Sequence, residues 1–115
     1  AILGALTVVL GAFGAHSLKE VLTPDALTSF ETAVRYQMYQ VLVLLLVNMY
    51  DNFSVKTKNT ISLLFVIGIL FFSGSIYAIT MANITAKSIW FITPLGGLIL
   101  ILGWIKLSIS FFKDK

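Results

Sequence analysis

Residues 60–81 read TISLLFVIGILFFSGSIYAITM, a run without a single charged side chain. A helix rises about 1.5 Å per residue, so a run of this length reaches across the roughly 30 Å hydrocarbon core of a bilayer. Few soluble architectures tolerate such a segment, and the rest of the chain repeats it. Ala1–Ala15 (AILGALTVVLGAFGA) is also uncharged, Val34–Tyr50 carries only Arg35, and Ser88–Phe112 is interrupted only by Lys106. Of the 115 residues, 58% are hydrophobic and 11% charged. Soluble domains carry about 25% charged residues, so this is the composition of an integral membrane protein. The expected fold is all-α: four transmembrane helices, near 1–17, 24–50, 59–81 and 88–112, in one antiparallel left-handed bundle forming a single membrane domain over 1–115.

The chain opens at Ala1, directly inside an apolar run, and its first residues are read as missing. A secretory signal peptide is the rival reading, but it requires a basic stretch ahead of the apolar one, and none precedes Ile2.

Helix two has a start signal well before its apolar half. In Thr23-Pro24-Asp25 the threonine can cap free N–H groups, Pro24 suits the first turn, and Asp25 favours the positive end of the helix dipole. No breaker follows until Asp51-Asn52. Leu27, Phe30, Val34, Met38 and Val41 recur at helical spacing, which makes the first half amphipathic. Glu31 precedes Arg35 by four residues, the favourable order for a helical ion pair. Arg35 is expected near the headgroups, in reach of Glu31 or His16. Gln37 and Gln40 lie deeper and need partners on other helices. Gln37 is expected to find Ser73, Tyr77 or Thr93. Gln37 and Asn48, eleven apart, are expected on one interior face.

Small residues recur at sevens: Gly4 and Gly11; Gly68 and Ser75; Gly96, Gly103 and Ser110. That repeat keeps one seam facing a partner helix, and small side chains admit close approach where lipid supplies no hydrophobic drive. Gly74 is expected at a helix contact as well. Pro94 either opens helix four or bends its first turns, and Tyr77, Trp90 and Phe91 suit an interfacial aromatic belt.

With four spans, Lys56, Lys58, Lys106, Lys113 and Lys115 fall to one side, and Lys19, Arg35 and Lys87 to the other. The excess of basic residues places both termini inside. The same topology gathers polar residues from all four segments at the outer face: His16, Glu31, Arg35, Gln37, Gln40, Ser73, Tyr77 and Thr93, with Ser75 beside them.

Several chemistries are excluded or disfavoured. There is no cysteine, so no disulfide, thiolate metal site or cysteine nucleophile exists. His16 is the only histidine, and no metal or cofactor site is expected. Glu20, Asp25 and Glu31 read as a solvated connector, and the serines of FFSGSIY as packing residues without a nearby base. Asn83 begins a glycosylation sequon in a very short loop. No phosphate-binding loop or HExxH is present. The net charge of +3 forms no basic face for nucleic acid, so membrane lipids are the expected partners, and self-association is left open.

The pieces GAFGAHSL, FETAVRYQMYQ, LFFSGSIY and ITPLGG…GW, in this order and over nearly the whole chain, resemble the small membrane proteins of the domain of unknown function four-two-three family. The positions that carry the resemblance are Gly11, Gly14, His16, Arg35, Tyr36, Gln37, Tyr39, Ser73, Gly74, Tyr77, Thr93, Pro94, Gly96 and Gly97. Ser17 and Gln40 depart from it, standing where the family pattern has glycine and histidine. The resemblance implies a four-helix protein of the bacterial plasma membrane and no particular activity, substrate or cofactor. The expected role is non-enzymatic, with the outward polar cluster binding a lipid headgroup or a small polar ligand. The alternative is a subunit of an oligomeric transporter or channel.

Overall fold

A computed structural model describes residues 1–18, 20–81 and 91–113. Among them the chain is all-helical. The elements are α1 (Ile2–Phe13), continued by a π-helical turn (Gly14–Leu18), then α2 (Pro24–Met49), α3 (Val55–Met81) and α4 (Ile92–Lys113). The expectations for Lys19, Asn83, Lys87, Ser88, Trp90 and Lys115 lie outside the described residues.

Local chemistry sets the helix starts. The Thr23 side chain accepts the Ala26 N–H at 3.2 Å, and Pro24 occupies the first turn of α2, where its missing N–H costs nothing. At α3 the Ser54 hydroxyl oxygen accepts the Thr57 N–H at 3.1 Å. This cap starts the helix at Val55, ahead of the position near 59 expected from the apolar run, and draws Lys56 and Lys58 into its first turn. In α4, Pro94 again lies in the first turn of the described helix.

Close contacts show that neighbouring helices run in opposite directions. Along α1 and α2, Gly4 faces Val41, Gly11 faces Val34 and Gly14 faces Phe30. Between α2 and α3, Ser73 reaches Ala33, while Asn48 reaches Ser62. Between α3 and α4, Gly68 meets Leu100 and Gly96 meets the Phe72 backbone. The small residues permit these approaches: a Cβ at Gly4 would stand 3.3 Å from Val41 Cγ1, and one at Gly96 would collide with the Phe72 backbone nitrogen. Gly74 differs. Nothing lies within 4 Å of where its Cβ would be, because a cavity of about 140 Å³ separates it from Leu3, Leu6 and Leu10 of α1. It therefore lies at no close helix contact.

The apolar core sits at the end away from Thr23. Val47, Phe53, Ile61, Phe65, Leu100 and Leu107 are buried together, and Tyr50, Phe53 and Phe111 close that end with ring centroids 4.6–5.5 Å apart. The outer surface is equally apolar, with Leu42, Leu46, Leu63, Leu70, Leu98 and Ile101 all exposed. Contiguous apolar exposure on this scale is foreign to a soluble monomer. Residues Val55–Thr80 and Ile92–Lys113 form two helices long and apolar enough to cross a membrane, and Ile2–Leu18 is a shorter apolar helix.

Candidate functional site

The polar residues of the apolar segments divide into groups with different surroundings. The first is centred on Gln37, which projects from the middle of α2 and is 2% exposed. Its Nε2 donates to Thr7 Oγ1 of α1 at 2.8 Å and approaches the Leu3 carbonyl at 3.5 Å. Its Oε1 accepts from the Tyr77 hydroxyl of α3 at 2.6 Å. Thr7 passes its own proton to the Leu3 carbonyl at 2.6 Å, so it accepts from Gln37 while donating along α1. One amide thereby ties α1 to α3 through α2. Phe30, fully buried two turns earlier on the same face of α2, packs its ring 5.3 Å from that of Tyr77 and covers the network.

Two serines of α3 make further interhelical bonds. Ser73 donates to the Ala33 carbonyl of α2 at 2.8 Å. Ser75 bonds the Thr93 hydroxyl of α4 and donates to the Phe72 carbonyl at 2.9 Å, which makes Thr93 the donor in their pair. Neither serine is posed as a nucleophile, since each proton is held by a backbone carbonyl.

The charged members behave differently. His16, Glu31 and Arg35 are all exposed, and Glu31 and Arg35 form no ion pair among the described residues. Glu31 and Arg35 line a small cleft of about 150 Å³ in which Gly11, Gly14 and Ala15 face them and Phe30; His16 is not part of its lining. No group of three or more potential metal ligands occurs among the described residues.

Gln40 stands apart from the rest of the expected cluster. It is 5% exposed, yet its Oε1 has no hydrogen-bond partner. Asn48 is not on the interior face that it was expected to share with Gln37. It is exposed, and its amide donates to Ser62 Oγ at 2.9 Å and to the Leu44 carbonyl at 2.7 Å. Between the two levels the buried α2 side chains are Gln40, Val41 and Val47. Thr7 was not singled out in the sequence, although it is the only hydrogen-bonding side chain in the first fifteen residues.

Comparison with known proteins gives a consistent kinship. Residues 10–97 match the profile described as a protein of unknown function, DUF423. A UPF0382 membrane protein of Staphylococcus aureus is 40% identical over 97% of this chain and 93% of its own length. One from Staphylococcus saprophyticus is also 40% identical, over 97% of this chain and 95% of its own. A Haemophilus influenzae relative of the same description is 37% identical, over 100% of this chain and 91% of its own. No solved structure matches at a significant level. The shared membrane-protein description agrees with the apolar exterior and the long apolar helices, and the chain belongs to the DUF423 family of proteins of unknown function.

Proposed function

We propose that the chain is a non-enzymatic integral membrane protein of four spans, arranged as an antiparallel left-handed bundle, that binds phospholipid headgroups at the end where α2 enters the membrane. The observation that carries this reading is the division of the polar residues. Gln37, Ser73, Ser75, Tyr77 and Thr93 are engaged in interhelical bonds, whereas Glu31 and Arg35, at the same end, leave opposite charges unpaired beside a cleft. A zwitterionic headgroup answers both charges. Its phosphate suits the planar guanidinium of Arg35, and its ammonium suits the Glu31 carboxylate. Transport by an oligomer would call for a continuous polar line through the membrane; Val41 and Val47 interrupt the line between Gln37 and Asn48, and Gln40 lines a separate groove, which argues against it. The lysine distribution favours both termini inside and the headgroup site outside, in the plasma membrane.

Native mass spectrometry of the protein released from vesicles of phosphatidylethanolamine and phosphatidylglycerol tests this reading. The parent should retain phosphatidylethanolamine preferentially. Arg35→Gln and Glu31→Gln should each lower retention about threefold, the scale of an exposed ion pair. Equal retention by the parent and both variants would contradict the assignment.

A further inference from the structure

Gln40 poses a problem that the headgroup reading leaves unsolved. Water does not reach the middle of a membrane helix to satisfy an orphaned amide, and leaving such a group unpaired is costly. Gln40 lies on the wall of a groove of about 530 Å³ between α2, α3 and α4, within the range of about 300–1,000 Å³ typical of small-molecule sites. The other walls combine flat groups, Tyr36 and Phe72, whose rings stack at 5.4 Å and 29°, and the Trp104 indole, with the aliphatic Leu98, Leu100 and Ile101 of α4. Gly97 keeps the groove open, because the nearest atom to a Cβ there would be Phe72 Cδ1 at 3.8 Å.

The recessed amide selects among occupants. An acyl chain would fill the groove but offers no hydrogen bond. A second copy of the chain brings a helix about 10 Å across, and two Gln40 amides, each 5% exposed in its own groove, cannot meet. A slender ring compound carrying oxygen can stack on the aromatic walls and reach the amide. The orphaned atom is Oε1, an acceptor that a ring hydroxyl answers, while the Nε2 hydrogens can donate to a ring carbonyl.

We infer that the groove walled by Tyr36, Phe72, Gly97 and Trp104 is a binding site for a membrane-dissolved ring compound of the quinone or quinol class, hydrogen-bonded by the Gln40 side-chain amide. The groove opens on the outer face of the helices, where Tyr36 and Trp104 are exposed, separate from the Glu31–Arg35 cleft, and stands independently of the headgroup proposal.

Trp104 supplies the readout. The full chain carrying Trp90→Phe, which leaves Trp104 as the only tryptophan, is placed in phospholipid nanodiscs and titrated with menadione and with decyl-tailed ubiquinone; decanol serves as a ringless competitor. The expected result is a saturable quenching of Trp104 by the quinones above the linear collisional background, which excess decanol does not displace. Gln40→Leu should weaken the saturable phase about tenfold, the scale of one buried hydrogen bond, without lowering the melting temperature. Gly97→Leu should abolish it, and Gly97→Ala should leave it intact. Three results would overturn the proposal: purely linear quenching of the parent; a saturable phase untouched by both Gln40→Leu and Gly97→Leu; or a Gln40-dependent dimer on cross-linking, which would make a second copy the occupant. A Gln40→Leu protein that melts far below the parent would equally contradict the orphaned amide on which the inference rests.

Discussion

A primary amide offers two donor hydrogens and an acceptor oxygen, and Gln37 directs them at two different helices. Replacing it with leucine keeps the volume but leaves the Tyr77 hydroxyl without its acceptor. Interhelical bonds of this kind are worth roughly 0.6 to 2 kcal/mol. Gln37→Leu should therefore lower unfolding stability in detergent by about 1–3 kcal/mol. A double-mutant cycle with Tyr77→Phe should return a coupling of about 0.5–2 kcal/mol, and purely additive effects would show that the observed bond carries no energy. The need for this network is legible in the sequence. A glutamine followed by an apolar run has to find a partner, and Tyr77 is among the few residues that topology brings near. The α1 half is not legible in the same way. Thr7 bonds its own helix carbonyl, as threonines in apolar helices commonly do, so its presence in the segment demands no partner. Charge is informative in the opposite sense: Glu31 and Arg35 have ideal helical spacing, but both remain exposed and apart, since spacing makes a pair available without making it favourable.

At the scale of the helices, the seven-residue spacing of small residues marks where backbones can approach but does not specify how near the partner comes. Gly4, Gly68, Gly96 and Gly103 each have a neighbouring atom close to where a Cβ would sit. Gly74 faces the small cavity instead, since the distance between α1 and α3 is set by the long side chains of Gln37 and Tyr77 that bridge them. The two kinds of glycine should respond oppositely. Gly96→Ala should destabilise the fold by about 1–3 kcal/mol through overpacking against the Phe72 backbone. Gly74→Ala should be neutral or stabilising by up to about 1 kcal/mol, the ordinary helix preference of alanine over glycine. Thermal melts in one detergent would check both, and a loss of stability in Gly74→Ala would contradict the open space beside it. The start of α3 illustrates a further limit of pattern reading. Lys56 and Lys58 look like loop residues, but the Ser54 cap precedes them and the first turn of the helix takes them in, where Lys58 Nζ donates to the Asn48 carbonyl at 3.4 Å.

For the whole molecule, the governing fact is that the exterior is as apolar as the interior. That was the most legible property of the sequence, because it is a property of composition and run length and needs no knowledge of packing. The site was only partly legible, because which polar residue is satisfied and which is orphaned depends on which neighbouring helix each side chain faces. Gln37 and Gln40 are three residues apart, yet one is the hub of a network and the other has no partner. The central claim is that four helices cross the membrane and bring the polar ends of α1, α2, α3 and α4 to one face. Since the chain contains no cysteine, single cysteines can report sidedness without background. Ser54→Cys and Asn83→Cys, each labelled in intact cells with a membrane-impermeant maleimide, test that claim most directly. The account predicts that the cysteine at position 83 labels from outside and that the one at position 54 labels only after the membrane is opened. Labelling of both positions from the same side would contradict it.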